Sequence, residues 1–187
     1  MMDYKELIDR AHRNAVAHGF WENSCDERVL MLIITEIAEA VQADRKDRHA
    51  DRSAYSAALS YDGEAFRVAN FEKYIKGTVE DEIADICIRC FDAIGSGAYD
   101  PAELEYLEPE LYLYFEEQRQ DIENEFCVAA LECVDILSQE ETTVDQLFSV
   151  VVLCTVWAEV LGFDLDWHIR EKMRYNESRP YKHNRKY

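Results

Sequence analysis

Two short stretches place carboxylates where they can act together. Thr35-Glu36-Ile37-Ala38-Glu39 and Glu80-Asp81-Glu82-Ile83-Ala84-Asp85 each set two acids three residues apart, Glu36/Glu39 and Glu82/Asp85. On a helix, residues i and i+3 share a face, with Cβ atoms about 5–6 Å apart. Four ionised carboxylates on facing helices repel one another, so some protonate or a cation sits among them. An oxygen-only donor set favours a hard ion, Mg²⁺ or Mn²⁺, over Zn²⁺. A di-iron carboxylate bundle needs Glu-x-x-His on two helices, and no Glu in this sequence is followed by His at i+3. The competing explanation is a solvated acidic helix face, where the same spacing arises by chance.

The second concentration of chemistry is near the C-terminus. Lys172, Asn176 and Arg179 fall at i, i+4 and i+7, one face of a helix end. Lys and Arg suit a triphosphate, the fork of Arg especially. A basic helix end that complements the macrodipole and stays exposed has the same composition. A nucleobase would need an apolar or stacking wall, and His12, Asn14, His18, Phe20 and Trp21 cluster at the end of the first helix, where they could supply it. Taken singly, Trp21 reads as a core or lid residue and His12 and His18 as surface groups. Trp157, Trp167 and His168 read as packing the last helix onto the bundle.

These residues sit in an acidic chain. The 187 residues carry 39 Asp+Glu against 20 Lys+Arg, net −19. Residues 99–145 hold 15 acids and one base, Arg119, whereas 168–187 hold seven bases and two acids. Such acidity excludes a protein that wraps a nucleic-acid polymer or adheres to anionic lipid. No stretch reads as a membrane span. The run Val150–Trp157 reads as a core helix, and the N-terminus lacks the layout of a signal peptide, so the expectation is a cytoplasmic chain. The six cysteines, at 25, 87, 90, 127, 133 and 154, lie mostly in apolar helical contexts and read as reduced core thiols. The lone Cys87-x-x-Cys90 has no second pair at zinc spacing.

Scarce Gly and Pro and the absence of strict alternation predict an all-α fold. Helices are expected over 3–18, about 26–47, about 70–94, within 102–139, over 143–161, and from Asp164 or Asp166 to about 176. Residues 48–68 are polar and weakly periodic, a loop or a short helix. One domain spanning 1–187 is the simplest count, with the acidic segment 99–145 as a helical insertion or appendage.

The two acidic pairs followed by Lys172-x-x-x-Asn176-x-x-Arg179 resemble the MazG-like all-α nucleotide pyrophosphohydrolases. The similarity is densest at 11–46, 71–94 and 163–187, and closest over Leu32–Val41 and His168–His183. The resemblance implies a helical bundle that hydrolyses a nucleoside triphosphate to the monophosphate and pyrophosphate with Mg²⁺, or Mn²⁺ in its place. Glu36, Glu39, Glu82 and Asp85 would hold the metal. Glu39, then Glu36, would be the general base. Lys172, Asn176 and Arg179 would contact phosphate or sugar, with Asn14 and Trp21 beside the substrate. Such proteins assemble as homodimers or higher homo-oligomers. Two departures stand out: the family often has adjacent glutamates where this chain has Thr35-Glu36, and the interval between the motifs is long, 42 residues from Ala40 to Asp81 inclusive.

Two other functions compete. Arg13-Asn-Ala-Val-Ala-His18 resembles the Arg-x-x-x-x-His signature of HEPN-type ribonucleases, which leaves the paired acids unexplained. An acidic helical interaction module would use 99–145 to dock a basic partner without catalysis.

Overall fold

The computed structural model describes residues 2–139 and 143–181, and among these the regular structure is helical throughout, in agreement with the all-α expectation. The N-terminal helix α1 (Tyr4–Ala17) starts on Asp3, whose carboxylate accepts from the Glu6 amide, and buries Leu7, Ile8, Ala11 and Ala15. Helix α2 (Asp26–Asp44) buries Ile33, Glu36, Ile37, Ala40 and Ala43. The polar stretch that follows contains α3 (Arg52–Asp62), capped by Asp51, and a 3-10 turn at Glu64–Phe66. Only Tyr55 of α3 is buried, which is why its periodicity is faint in the sequence.

The helix expected over 70–94 is two helices. α4 (Arg67–Tyr74) and α5 (Val79–Gly95) are separated by Gly77, in the left-handed region at φ +72°, and by Thr78, whose hydroxyl caps α5. Such a glycine and an N-cap threonine are ordinary stop and start signals. The apolar spacing that ran across the break serves two cores. Phe71 and Ile75 pack with Tyr55 and Tyr175 in a small cluster, whereas Val79, Ile83, Ile86 and Phe91 belong to the main core.

The acidic segment is built of α6 (Pro101–Glu116), α7 (Arg119–Asn124) and α8 (Phe126–Leu137). It is not an appendage. Its Leu104, Phe115, Ile122, Ala129, Cys133 and Leu137 are part of the main core, packed against α9 (Val144–Leu161). Its acids at 103, 105, 110 and 117 point outward. α9 also corrects a second expectation, because by length and composition it could cross a membrane. Its apolarity is accounted for by burial, with Phe148, Val150, Val151, Leu153, Val156 and Trp157 enclosed by α5, α6 and α8. Gly162 ends it at φ +77°, and Asp164 caps α10 (Leu165–Glu177).

α5 is the axis of the bundle, packed by α1, α2, α9 and α10. It runs antiparallel to α2. Arg89, late in α5, meets Glu36 of α2, and the Val79 amide at the start of α5 donates to the Arg48 carbonyl just beyond α2.

Candidate active site

A cavity of about 340 Å³ lies between α2 and α5, closed by α1 on one side and α10 on another. α2 contributes Leu32, Glu36, Glu39 and Ala43 to its wall, and α5 contributes Asp81, Glu82, Asp85, Ile88, Arg89 and Asp92. These are i, i+4, i+7 and i+11 steps on two facing helices, so each acidic pair shares a face, as the spacing predicts, and both faces border the cavity.

One carboxylate oxygen from each of Glu36, Glu82 and Asp85 lies within 4.8 Å of the other two. Glu36 and Glu82 are buried, and Asp85 is half-buried. Burial and the neighbouring Asp85 carboxylate push Glu36 up to about 7, against the pull of Arg89 and Lys172. Burial pushes Glu82 up to about 9 despite Lys172, with Asp85 and Asp81 adding to the rise. Two acids held near or above neutrality beside a third are what a cation site looks like before the cation replaces the protons. The three oxygens fit a hard divalent ion such as Mg²⁺ or Mn²⁺. Glu39 lines the same cavity but is exposed and stands outside the group of three.

The structure corrects the role of Lys172. It is not an exposed cation at a helix end but is 4% exposed, with its Nζ 2.7 Å from Asp81 Oδ2 and 2.7 Å from Asp85 Oδ2. Burial opposes its charge, and Asp81, Asp85 and Glu82 together override that and raise its pKa. Asp81 also accepts from the Gly77 amide at 2.8 Å, while its Oδ1 has no partner. Glu80 turns away from the cavity, binding His49 and the Ala50 amide.

Asn176 and Arg179 line the cavity as expected. Asn176 is 8% exposed and its Oδ1 has no hydrogen-bond partner. Arg179 lies over the ring of Tyr175, its guanidinium 5.6 Å from the centroid. Asn14 lines the cavity too, but Trp21 does not. The Trp21 indole donates to Asp92 Oδ1 at 2.8 Å and packs edge-on against His12, so it braces the wall, and the neighbouring Phe20 presents its ring instead. His12 is likewise no free surface group, because Nδ1 is 3.0 Å from Asp92, a contact that raises its pKa.

Sequence reasoning missed Lys46, Arg48, Lys76, Arg89 and Asp92, all of which line the cavity. Three carried a readable signal. Lys46 is i+7 from Glu39, Arg89 is i+7 from Glu82 and Asp92 is i+7 from Asp85, so each extends an acidic face already identified. Arg48 and Lys76 lie in connections outside the helices, where periodicity is silent.

Thr35 is exposed, donates to the Met31 carbonyl and does not line the cavity, so the missing glutamate of the first motif leaves no gap in the wall. Arg13 and His18 do not line it either, and both His18 ring nitrogens face backbone carbonyls, of Asn14 and Arg179. Cys87, Cys90, Cys133 and Cys154 are free, fully buried thiols of α5, α8 and α9, and no set of three is close enough to hold an ion. His168 is buried against Phe163 and Trp167, and Trp167 packs on Tyr55 of α3, whereas Trp157 lies in α9 and packs on Phe126 of α8 rather than seating the last helix.

No family model, no curated protein and no solved structure matches the chain.

Proposed function

We propose that this cavity hydrolyses a nucleoside triphosphate to its monophosphate and pyrophosphate with a divalent cation, Mg²⁺ or Mn²⁺. The observation that carries the reading is the convergence of Glu36, Glu82 and Asp85 within 4.8 Å inside a cavity whose wall also carries Lys46, Arg48, Lys76, Arg89, Lys172 and Arg179. Without a cation the acids are neutral or paired with Lys172 and offer a polyphosphate no attraction. With one, the same residues recruit it.

Glu36, Glu82 and Asp85 hold the ion, which supplies Lewis-acid polarisation of phosphoryl oxygens and offsets their charge. Glu39 is three residues from Glu36 on the same face, exposed to the cavity, and is placed to orient water and accept its proton. The water oxygen bonds to the phosphorus nearest the sugar, the bond from that phosphorus to the bridging oxygen breaks, and the pyrophosphate leaves with the bond's electrons. Lys172 fixes Asp81 and Asp85 and keeps the cluster from accumulating excess negative charge. The unpartnered Asn176 Oδ1 is an acceptor, so it suits a sugar hydroxyl rather than a phosphate oxygen.

The test is pyrophosphate release from a panel of ribo- and deoxynucleoside triphosphates with Mg²⁺, with Mn²⁺ and with chelator. Metal-dependent release that Glu82→Gln abolishes is expected. No release from any substrate with either metal sinks the proposal.

A further inference from the structure

The cavity has two chemically different ends. Because α2 and α5 are antiparallel, their residues order its walls. At one end stand Phe20, Leu32 and Ile88, with Asp92 beside them and the Arg89 guanidinium 5.7 Å from the Phe20 ring centroid. Next come Glu36, Glu82 and Asp85. At the other end, just beyond α2 and just before α5, are Lys46, Arg48 and Lys76. From Asp92 to Asp81 the wall follows eleven residues of α5, about 16 Å of helix rise, which is room for a nucleotide laid lengthwise.

The cations differ in availability. The ammonium of Lys172 is matched by two carboxylates inside the wall. Lys46, Arg48 and Lys76 are exposed at the cavity mouth. Arg48 Nη2 donates to the Lys76 carbonyl at 3.2 Å and lies over Gly77, where an added Cβ would be 3.3 Å away. Gly77 itself lines the cavity, and without a side chain it leaves the guanidinium its place. Lys76 Nζ donates to the Tyr175 hydroxyl at 2.9 Å and pairs with the exposed Glu72 at 3.5 Å, a looser match than the two 2.7 Å contacts of Lys172, and Tyr175 also lines the cavity.

Resting on the hydrolase reading, we propose that Lys46, Arg48 and Lys76 bind the leaving pyrophosphate, and that Phe20, Leu32 and Ile88 hold the base. The scissile bond then lies over the carboxylates between them. Discrimination among bases belongs to the Phe20 end, and retention of product pyrophosphate to the Arg48 end.

Calorimetry with two probes tests this, using magnesium pyrophosphate and, singly, the four common ribonucleoside monophosphates. All residues to be changed sit on the cavity wall outside the core, and circular dichroism checks the fold. Lys46→Gln/Arg48→Gln should weaken pyrophosphate binding about tenfold or more and monophosphate binding by less than about twofold. Phe20→Ala should do the reverse, about tenfold on the monophosphate, as loss of one stacking ring does. A double variant that binds pyrophosphate like the wild type, a Phe20→Ala that weakens both probes alike, or a wild type that binds neither probe overturns the assignment. If the wild type turns over no triphosphate yet the variants split the probes, hydrolysis fails and the two ends stand. If it turns over triphosphate and the probes do not split, the ends fail and hydrolysis stands.

Discussion

Metal binding at Glu36, Glu82 and Asp85 should be strongly linked to pH. In the metal-free protein Glu36 is pushed up to about 7 and Glu82 to about 9, burial being the main cause for both. An ion that takes both carboxylates must displace their protons. At pH 7 Glu36 is about half protonated and Glu82 almost fully, so binding should release about 1.5 protons. Between pH 7 and pH 9 those protons leave on their own, and the apparent affinity should rise about a hundredfold. The stability of the metal-free protein runs the other way. Both groups bind protons more tightly folded than unfolded, so their contribution is complete below the ordinary glutamate value near 4.5 and is lost as pH rises through about 7 and then about 9. Added Mg²⁺ should therefore raise the melting temperature most at pH 9 and least at pH 6. Calorimetry of Mg²⁺ binding in buffers of different ionisation enthalpy counts the protons directly. Glu82→Gln should bind more weakly at pH 9 and lose most of the pH dependence. An affinity flat from pH 6.5 to 9 with no proton release would refute the argument, because it would mean that the ion does not displace these protons.

Three further outcomes follow from the geometry. Lys172→Met removes the cation shared by Asp81 and Asp85 and should cost about 3–5 kcal/mol in urea unfolding, with part of the loss restored by Mg²⁺; a loss under about 1 kcal/mol would contradict the buried pairing. His168 is held down to about 4 by burial, so its contribution is present above pH 6.5 and lost as pH falls toward 4, about 3 kcal/mol in all; His168→Phe should flatten the pH profile of unfolding over that window, and an unchanged slope would remove His168 as its source. Thr35→Glu sets a second glutamate beside Glu36 on an exposed face off the cavity, so it should change turnover by less than about twofold; a large gain would show that position 35 reaches the substrate.

The parts of this fold that were legible are those governed by one period and one partner. Helix spacing marked Glu36, Glu82 and Asp85 together with Glu39, which stands outside their cluster, and the same period marked the burying faces of α1 and α2. Spacing fails where a helix changes partners. Phe71 and Ile75 keep the rhythm of Ile83 and Ile86 although Gly77 and Thr78 separate them into different cores. It also fails where composition misleads, since the acids of α6 conceal Leu104 and Phe115, which anchor that segment to α9. Lys172 was identified as a residue but not in its role. A lysine at a basic helix end and a lysine inside an acidic cluster look alike until α10 is laid across α5, which is a tertiary event with no local signature. Arg48 and Lys76 meet only because α3 and α4 leave the end of α2 and return to the start of α5.

The net charge of −19 says little about this cavity. Along its walls Glu36, Glu39, Asp81, Glu82, Asp85 and Asp92 are matched in number by Lys46, Arg48, Lys76, Arg89, Lys172 and Arg179. The surplus of acids lies largely on the outer faces of α6 to α8, at positions such as Glu103, Glu105, Glu110 and Glu117. Exposed charges farther apart than a Debye length, about 8 Å at physiological salt, are largely screened from one another. A polyanion laid against that outer surface would meet the acids exposed there. On the proposed reading, a single triphosphate would enter beside Lys46, Arg48 and Lys76 and meet their local charge rather than the sum over the chain. The chain's overall acidity is thus compatible with the proposed short polyphosphate, provided that a divalent cation offsets the carboxylates at the cavity's centre.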